Sequence, residues 1–575
     1  MVDFRKAFLL LAVLVMMTGA ANAQAISCVA TSGQPPLLRA EGVAEEVGQV
    51  TIECTGGIPT AVDAPIPPIN IQVFLNVNVT SRLLVSSTSA VSEALLLIDD
   101  PAPSNVFVCS GGTICSVTGL GTGGSNGYGG GVAASRPNAF QGLVTSNSVI
   151  WGGVPFDPPG TSGSRKLRLV NVRANASQLG VSSTLIPSAV NMFIAITGTG
   201  SLQLTNPQLT VGFVQKGMSF SATTASYNQC EPRTVESTPY TIKFKELFNT
   251  AFRANPVGSE NQSTIGTIYN TESMYSNQAT FTSSTNYSGS VTANGAGVAT
   301  QGTRLIARFS NVPANVAITV QTSKTVTSPG GIDEVALIPG ATNSTTSSSG
   351  VVSLTGGAGA AVWEVTTSNA NWASEIPLDV WVTYSASALP GLGTATVTGN
   401  YAPTTTIFSA SYTAPVPRFV DDPQSATTFT INSCKTNLLF PFLTNQAGFD
   451  SGVVISNTSL DPFSTVPQRG PCTLYYYGNT NGTGAAPNSQ ISGTVNEGTQ
   501  LVATLSGGGN LGIAATPGFQ GYMIASCNFQ YAHGFAFISD LGSSRVAEGY
   551  LALIMDQNMF SGKTRTGATS EQLNQ

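Results

Sequence analysis

The chain has 575 residues, of which 23 are Lys or Arg, 29 are Asp or Glu and one is His, so that 9 % are charged, against about 25 % in an ordinary soluble domain. A net charge of −6 without a Lys/Arg stripe excludes nucleic acid as a partner, because phosphate recognition needs clustered basic side chains. Sparse carboxylates and a lone histidine leave little for acid–base catalysis, and the polar surface must be built from Ser, Thr, Asn, Gln and Gly.

The chain opens on a signal peptide over 1–23, with Arg5 and Lys6 before an apolar stretch and Ala21-Asn22-Ala23 as the cleavage site. The apolar stretch is too short to span about 30 Å of hydrocarbon. Export to the cell surface or beyond is therefore expected, without direct membrane insertion. Short runs of Val, Ile, Thr, Phe and Tyr broken by Gly, Pro, Asn and Ser then dominate, without a sustained helical period. Runs at 26–28, 50–54, 69–75 and 165–170 predict strands of a first β-sandwich over 24–231. A Gly/Ser-rich stretch at 119–131 predicts a loop projecting from it. A second β-rich domain is expected over 232–423. It includes the alternating strand 316–320, a flexible stretch at 342–350, and one short helix over 243–252, where Phe244, Leu247, Phe248 and Phe252 recur at helical spacing. Seven strand-like runs (438–443, 452–456, 472–477, 500–505, 522–529, 535–538 and 550–555) predict a C-terminal β-sandwich over 427–557, followed by a disordered tail over 558–575. The fold class read from these elements is all-β, with serial antiparallel Ig-like or jelly-roll-like sandwiches.

Eight cysteines in an exported chain favour disulfides. Cys28 and Cys54 end two strand-like runs and could staple neighbours. Cys109 and Cys115 would close a small loop. Cys472 and Cys527 each sit in a strand of the last domain, and Cys230 with Cys434 would tie one domain to the next. Neither C-x-x-C spacing nor a Cys/His cluster points to a metal, and no cofactor is expected.

The motifs that could carry chemistry are few. His533, in an aromatic stretch seven residues before Asp540, is the base a hydrolase triad would need, with Asp540 to orient it; it reads better as a core histidine at a strand end. Gly123-Gly124-Ser125-Asn126-Gly127 matches a nucleophile elbow, and Gly119, Gly121 and Gly124 match a dinucleotide-binding spacing. Both lack the strand before and the helix after that those motifs need. Glu41, Glu45 and Glu46 cluster, as do Asp99-Asp100 and Asp421-Asp422. The Asp pairs stand before Pro and read as turn starters. Tyr476, within Tyr475-Tyr476-Tyr477, and Trp372 are the candidate glycan contacts, because an exposed ring can stack on a sugar. Sequons occur at Asn78, Asn175, Asn286 and Asn457.

The segments 26–28 and 53–57, 78–84, 92–99, 170–176, 518–540 and 549–553 together resemble a set of large secreted β-rich surface proteins common in Acidobacteria. That resemblance implies export and a modular surface protein, and carries over no catalytic residues. The function expected is a non-enzymatic structural or adhesive extracellular protein acting through sheet surfaces on matrix, glycan or further copies of itself. A carbohydrate-binding protein and an extracellular polymer hydrolase are the alternatives.

Overall fold

The structure, a computed structural model, describes residues 25–101, 108–109, 119–124, 137–181, 186–198, 202–229, 231, 233–255, 271–275, 295–385, 390–555 and 573–574. Among these the chain is built of β-strands arranged in three successive units, each around its own apolar core. A single 3-10 turn, Ala176–Gln178, is the one helical element among the described residues.

The first unit is a twelve-stranded sheet that curls until Ile26–Ser32 and Gln208–Gln215, near its two ends, approach each other. Strands such as Pro68–Leu75 bury every second side chain, here Ile69, Ile71, Val73 and Leu75. This is the period-2 pattern of a sheet with one apolar face. Val91–Ile98 is buried on both faces, because a second small cluster of Leu95, Leu97, Val170 and Tyr275 covers its outer side. Most pairs are antiparallel. The edge strands Leu202–Thr205 and Leu37–Arg39 instead join in parallel, to Ile26–Ser32 and Gln208–Gln215.

The second unit packs a five-stranded sheet on a seven-stranded one around Phe244, Trp363, Tyr401 and Phe429. The third packs a seven-stranded sheet on a five-stranded one around Phe440, Ile455, Leu474, Phe519 and Met523. All seven strands expected there form, as Thr436–Thr444, Asp450–Asn457, Cys472–Thr480, Gln500–Thr504, Phe519–Cys527, Ala532–Ser539 and the pair Ala547–Leu551 and Leu553–Met555.

The chain departs from expectation in three places. The helix expected over 243–252 does not form. Tyr240–Glu246 is a strand that buries Tyr240, Ile242, Phe244 and Glu246 in alternation. The chain then turns, and the Glu246 carboxylate ends the strand by accepting the Phe252 N–H (2.6 Å) and the Ser374 N–H (2.9 Å). The phenylalanines that mimic a helical stripe therefore belong to a strand and to the turn after it. Sheet membership also changes earlier and later than expected. Met218–Ala222 and Ala225–Asn228 lie in the sheets of the second unit, and Gln424–Asn432 closes that unit. The Gly-rich stretch, described over 119–124, does not start as a projection. Gly121 exchanges backbone bonds with Asp63 and Ala64 so closely that a Cβ on it would meet Thr60 and Ala61 carbonyls at 2.4–2.5 Å. Of the tail, Leu573–Asn574 pairs with Leu553–Met555, and the rest lies outside the described residues, as do residues 1–24, where a signal peptide is expected, and residues 125–131.

Candidate functional site

Part of this chain's small complement of charge is interior. Sixteen Asp, Glu and Arg side chains, and no Lys, are buried among the described residues. The densest group lies where the first two units meet. The short ladder Glu45–Glu46 against Arg173–Ala174 starts it. Glu45 reaches Arg39 on the edge strand, with Nη2 to Oε1 at 2.6 Å. That approach needs a bare Gly42, since a Cβ there would lie 2.2 Å from Glu45 Oε1. From the second unit comes Glu272, whose Oε1 is 2.7 Å from Arg39 Nη1 and accepts the Thr303 hydroxyl at 2.7 Å. The guanidinium also lies over the Phe419 ring (4.8 Å), itself stacked on Tyr401 (4.5 Å). A cation between two carboxylates and an aromatic face is well compensated. Burial alone would lower the Arg39 pKa, but Glu272 and Glu45 outweigh it and hold the group well above its ordinary value. Burial likewise opposes ionisation of Glu272, yet Arg39 and Arg253 keep it below the usual carboxylate range.

Arg173 forms the neighbouring pair with Glu93 (Nε to Oε1 2.9 Å) and donates from Nη2 to the Glu272 carbonyl (2.9 Å). Arg418 is buried in a cage of carbonyls and donates from Nη2 to Ser409 O at 2.6 Å. Burial, with Arg173 nearby, lowers it to about 10.

Glu46 differs from its neighbours. It is 4 % exposed, yet neither carboxylate oxygen has a partner at hydrogen-bond geometry among the described residues, and the backbone N–H of Asn171 acts on it only weakly. Burial pushes it up to about 8, against the opposing pull of Arg173. It lines a cleft of about 430 Å³ between the two units, shared with Thr31, Thr51, Asn249, Thr250 and Arg253.

The other chemical candidates are dispersed. His533 is exposed on the outer face of Ala532–Ser539, not in a core, and lies opposite Ser456. Asp540 is buried beyond the far end of the same strand, where its carboxylate caps a turn by accepting the Gly542 and Ser544 N–H groups. Seven residues of extended chain place the two roughly 23 Å apart, so they form no dyad. Asp99 pairs with Arg165, and Asp421 with Arg308 (3.1 Å). Among the described residues no group of three or more His, Cys, Asp and Glu is placed to hold a metal ion. Asn175 and Asn457 are buried, with Asn457 Nδ2 donating to the Gln468 carbonyl at 2.7 Å. These two sequons are thus structural amides.

Tyr476 is not a surface ring. It is 8 % exposed and meets Phe519 edge-on at 5.3 Å in the third core. Strand alternation turns Tyr475 and Tyr477 outward instead. Tyr477 stacks on Tyr522 of the adjacent strand (4.9 Å, 13°), so each ring spends one face on the other instead of lying flat beside it. Trp372 is half-exposed in a turn of the second unit.

Two disulfides sit at directly opposed strand positions. Cys28–Cys54 joins Ile26–Ser32 to Val50–Gly56, and Cys472–Cys527 joins Cys472–Thr480 to Phe519–Cys527. Cys109 and Cys434 are also disulfide-bonded; Cys115 and Cys230, their expected partners, lie outside the described residues.

The third unit exposes an apolar face that the sequence did not single out. On its five-stranded sheet the cross-strand row Val502, Val454, Phe535 and Leu551 runs over four strands, and the next row holds Phe537 between Gly452 and Gly549. Phe535, Phe537 and Leu551 are 41 %, 45 % and 75 % exposed. The missing side chain at Gly549 leaves room for the Phe535 ring, which a Cβ there would meet at 2.6 Å.

No protein-family model matches the chain, and no curated protein does. Among solved structures it is similar to the C-terminal domain of the AgI/II polypeptide BspA of Streptococcus agalactiae, at 7 % identity and a TM-score of 0.24, over 70 % of this chain and 100 % of that one. It is also similar to the T6 backbone pilin of Streptococcus pyogenes, at 7 % and 0.18, over 92 % and 80 %. A third is the CupB6 tip adhesin of Pseudomonas aeruginosa, at 8 % and 0.16, over 69 % and 98 %.

Proposed function

We propose that this chain is a secreted, non-enzymatic structural or adhesive protein that acts outside the cell through the surfaces of its β-sheets. The observation that carries the reading is the exposed apolar face of the third unit. Side chains at Val502, Phe535, Phe537 and Leu551 stand in contiguous rows on a sheet whose other face packs into the third core. Monomeric soluble proteins rarely leave such rows open without a contact surface to justify them. The interior supports the same reading. The buried Arg39–Glu272 pair helps join the first two units, and the only histidine faces solvent without a carboxylate partner among the described residues. Disulfides across adjacent strands suit an oxidising compartment.

The test is imaging and adhesion together. Purified protein is examined by negative-stain microscopy and by binding to immobilised extracellular matrix, with a Phe535→Ser/Phe537→Ser variant alongside. Ordered assemblies or retention on the surface, lost in the folded variant, are expected. A monodisperse, non-adherent protein would count against the reading. So would hydrolysis of an extracellular polymer that is abolished by His533→Ala.

A further inference from the structure

We infer that the cleft between the first and second units is a binding site for a neutral, multiply hydroxylated ligand, a sugar residue, with Glu46 and Arg253 as its polar anchors. It stands apart from the adhesive reading, which rests on the third unit.

The inference starts from an unusual expenditure. Burying a carboxyl without a hydrogen-bond partner costs about 1–3 kcal/mol or more, and buried polar groups are nearly always partnered. Glu45, Glu93 and Glu272, its neighbours, each hold an arginine. Glu46 alone in this group has two unpartnered oxygens, and it lines a cleft. An acceptor held ready in this way is completed by something that enters the cleft.

The walls restrict what that is. About 430 Å³ falls in the range of small-molecule sites, roughly 300–1,000 Å³. Arg253 stands in the wall, fixed by Nε to the Thr250 carbonyl (2.8 Å) and Nη2 to the Leu37 carbonyl (3.2 Å). Its Nη1 lies 3.8 Å from Glu45 Oε2, beyond hydrogen-bond reach. A cationic ligand at Glu46 would meet Arg253 and Arg173, and an anionic one at Arg253 would meet the Glu45 carboxylate. A neutral ligand meets no like charge. Vicinal hydroxyls suit such a pair, because each can donate to a carboxyl oxygen and accept from a guanidinium N–H. Thr51, Asn249 and Thr250 add neutral polar groups, and Pro36 and Leu37 offer the apolar surface that a sugar ring's C–H face covers.

The whole mature protein is examined by saturation-transfer NMR with D-glucose, D-galactose, D-mannose and N-acetyl-D-glucosamine at millimolar concentration, and with n-butylammonium and inorganic phosphate as charged probes. At least one sugar is expected to receive saturation. Glu46→Leu should weaken it tenfold or more while the unfolding midpoint stays the same or rises. Glu46→Gln, which keeps an acceptor and adds a donor, should hold binding within a few-fold, and Trp372→Ala should leave it unchanged. The inference is overturned if no sugar receives saturation, if Glu46→Leu binds sugar like the parent, or if only a charged probe binds at the cleft. Should Glu46→Leu fail to fold, Thr51→Val on the same wall decides, with weaker sugar binding expected and unchanged binding overturning the site.

Discussion

Replacing Arg39 by Met removes the cation that two fully buried carboxylates share. Glu45 and Glu272 are each under 2 % exposed and meet the guanidinium at 2.6 and 2.7 Å, with two further bonds at 2.9 and 3.1 Å. Met fills similar volume, so the loss is electrostatic. Removing one partner of a buried pair costs about 3–5 kcal/mol, because the remaining charge is stranded. Two carboxylates are stranded here, so the upper end of that range, about 5 kcal/mol, is expected. Glu45 belongs to the first unit and Glu272 to the segment that packs from the second. The cost should therefore fall on their joint stability. Urea unfolding followed by tryptophan fluorescence reads each unit, since Trp151 is buried in the first core and Trp363 in the second. The parent should show one transition for both, and Arg39→Met an earlier one. A triple variant, Arg39→Met/Glu45→Leu/Glu272→Leu, should recover most of the loss, since replacing a whole buried network by apolar groups is often neutral or better. The reasoning fails if Arg39→Met shifts stability by less than about 1 kcal/mol, or if the triple variant is worse than the single one.

Glu46 ties stability to pH. Its folded pKa of about 8 lies above the ordinary carboxyl value of 4.5, so the folded state holds its proton more tightly. That contribution is fully present below about pH 4.5 and is lost as pH rises through about 8. The melting temperature should fall between pH 5 and 8.5 and fall less in Glu46→Gln; equal slopes would refute the assignment. Cys472→Ala/Cys527→Ala opens a loop with a sequence separation of 55. It should destabilise the third unit by about 4 kcal/mol by loop-closure entropy, read as an earlier chemical-unfolding transition of that unit. Tyr476→Ala should cost about 3–5 kcal/mol as a core truncation. Tyr477→Ala should cost under about 1 kcal/mol, and a reversed order would contradict the strand's facing.

Much of the fold was legible because sheet burial writes a period of two into the chain. In Pro68–Leu75 every second residue is apolar and inward, and in Tyr240–Glu246 Tyr240, Ile242 and Phe244 follow the same alternation. The helical misreading at 243–252 shows the limit: four aromatic and aliphatic residues met two templates, and only the pairing of Lys243 with Pro377 and Ser221 decides for the strand. Periodicity gives alternation without phase. Tyr475-Tyr476-Tyr477 must alternate, but which ring enters the core depends on Phe519 and the cross-strand neighbour Met523, more than 40 residues on. The buried charge group was the least legible feature. Glu41, Glu45 and Glu46 read as a sparse acidic cluster, since Arg39 meets Glu272 across 233 residues and Arg173 meets Glu93 across 80.

Scarcity of charge therefore says less about the surface alone than composition suggests. A chain whose surface is coated in hydroxyls and amides still folds several sheets into units that must find their neighbours. Apolar contact is non-directional and cannot by itself fix how two β-units meet. The directional groups are spent at that junction: Arg39 with Glu45 and Glu272, and Arg173 with Glu93 and the Glu272 carbonyl. Each of these arginines takes bonds from more than one segment, so a slipped junction would strand buried charge at several kcal/mol per group. Glu46 is the member left unpartnered beside an open cleft. Among the buried carboxyls of this junction it alone has both oxygens unmatched, and it marks where the junction faces a ligand instead of itself.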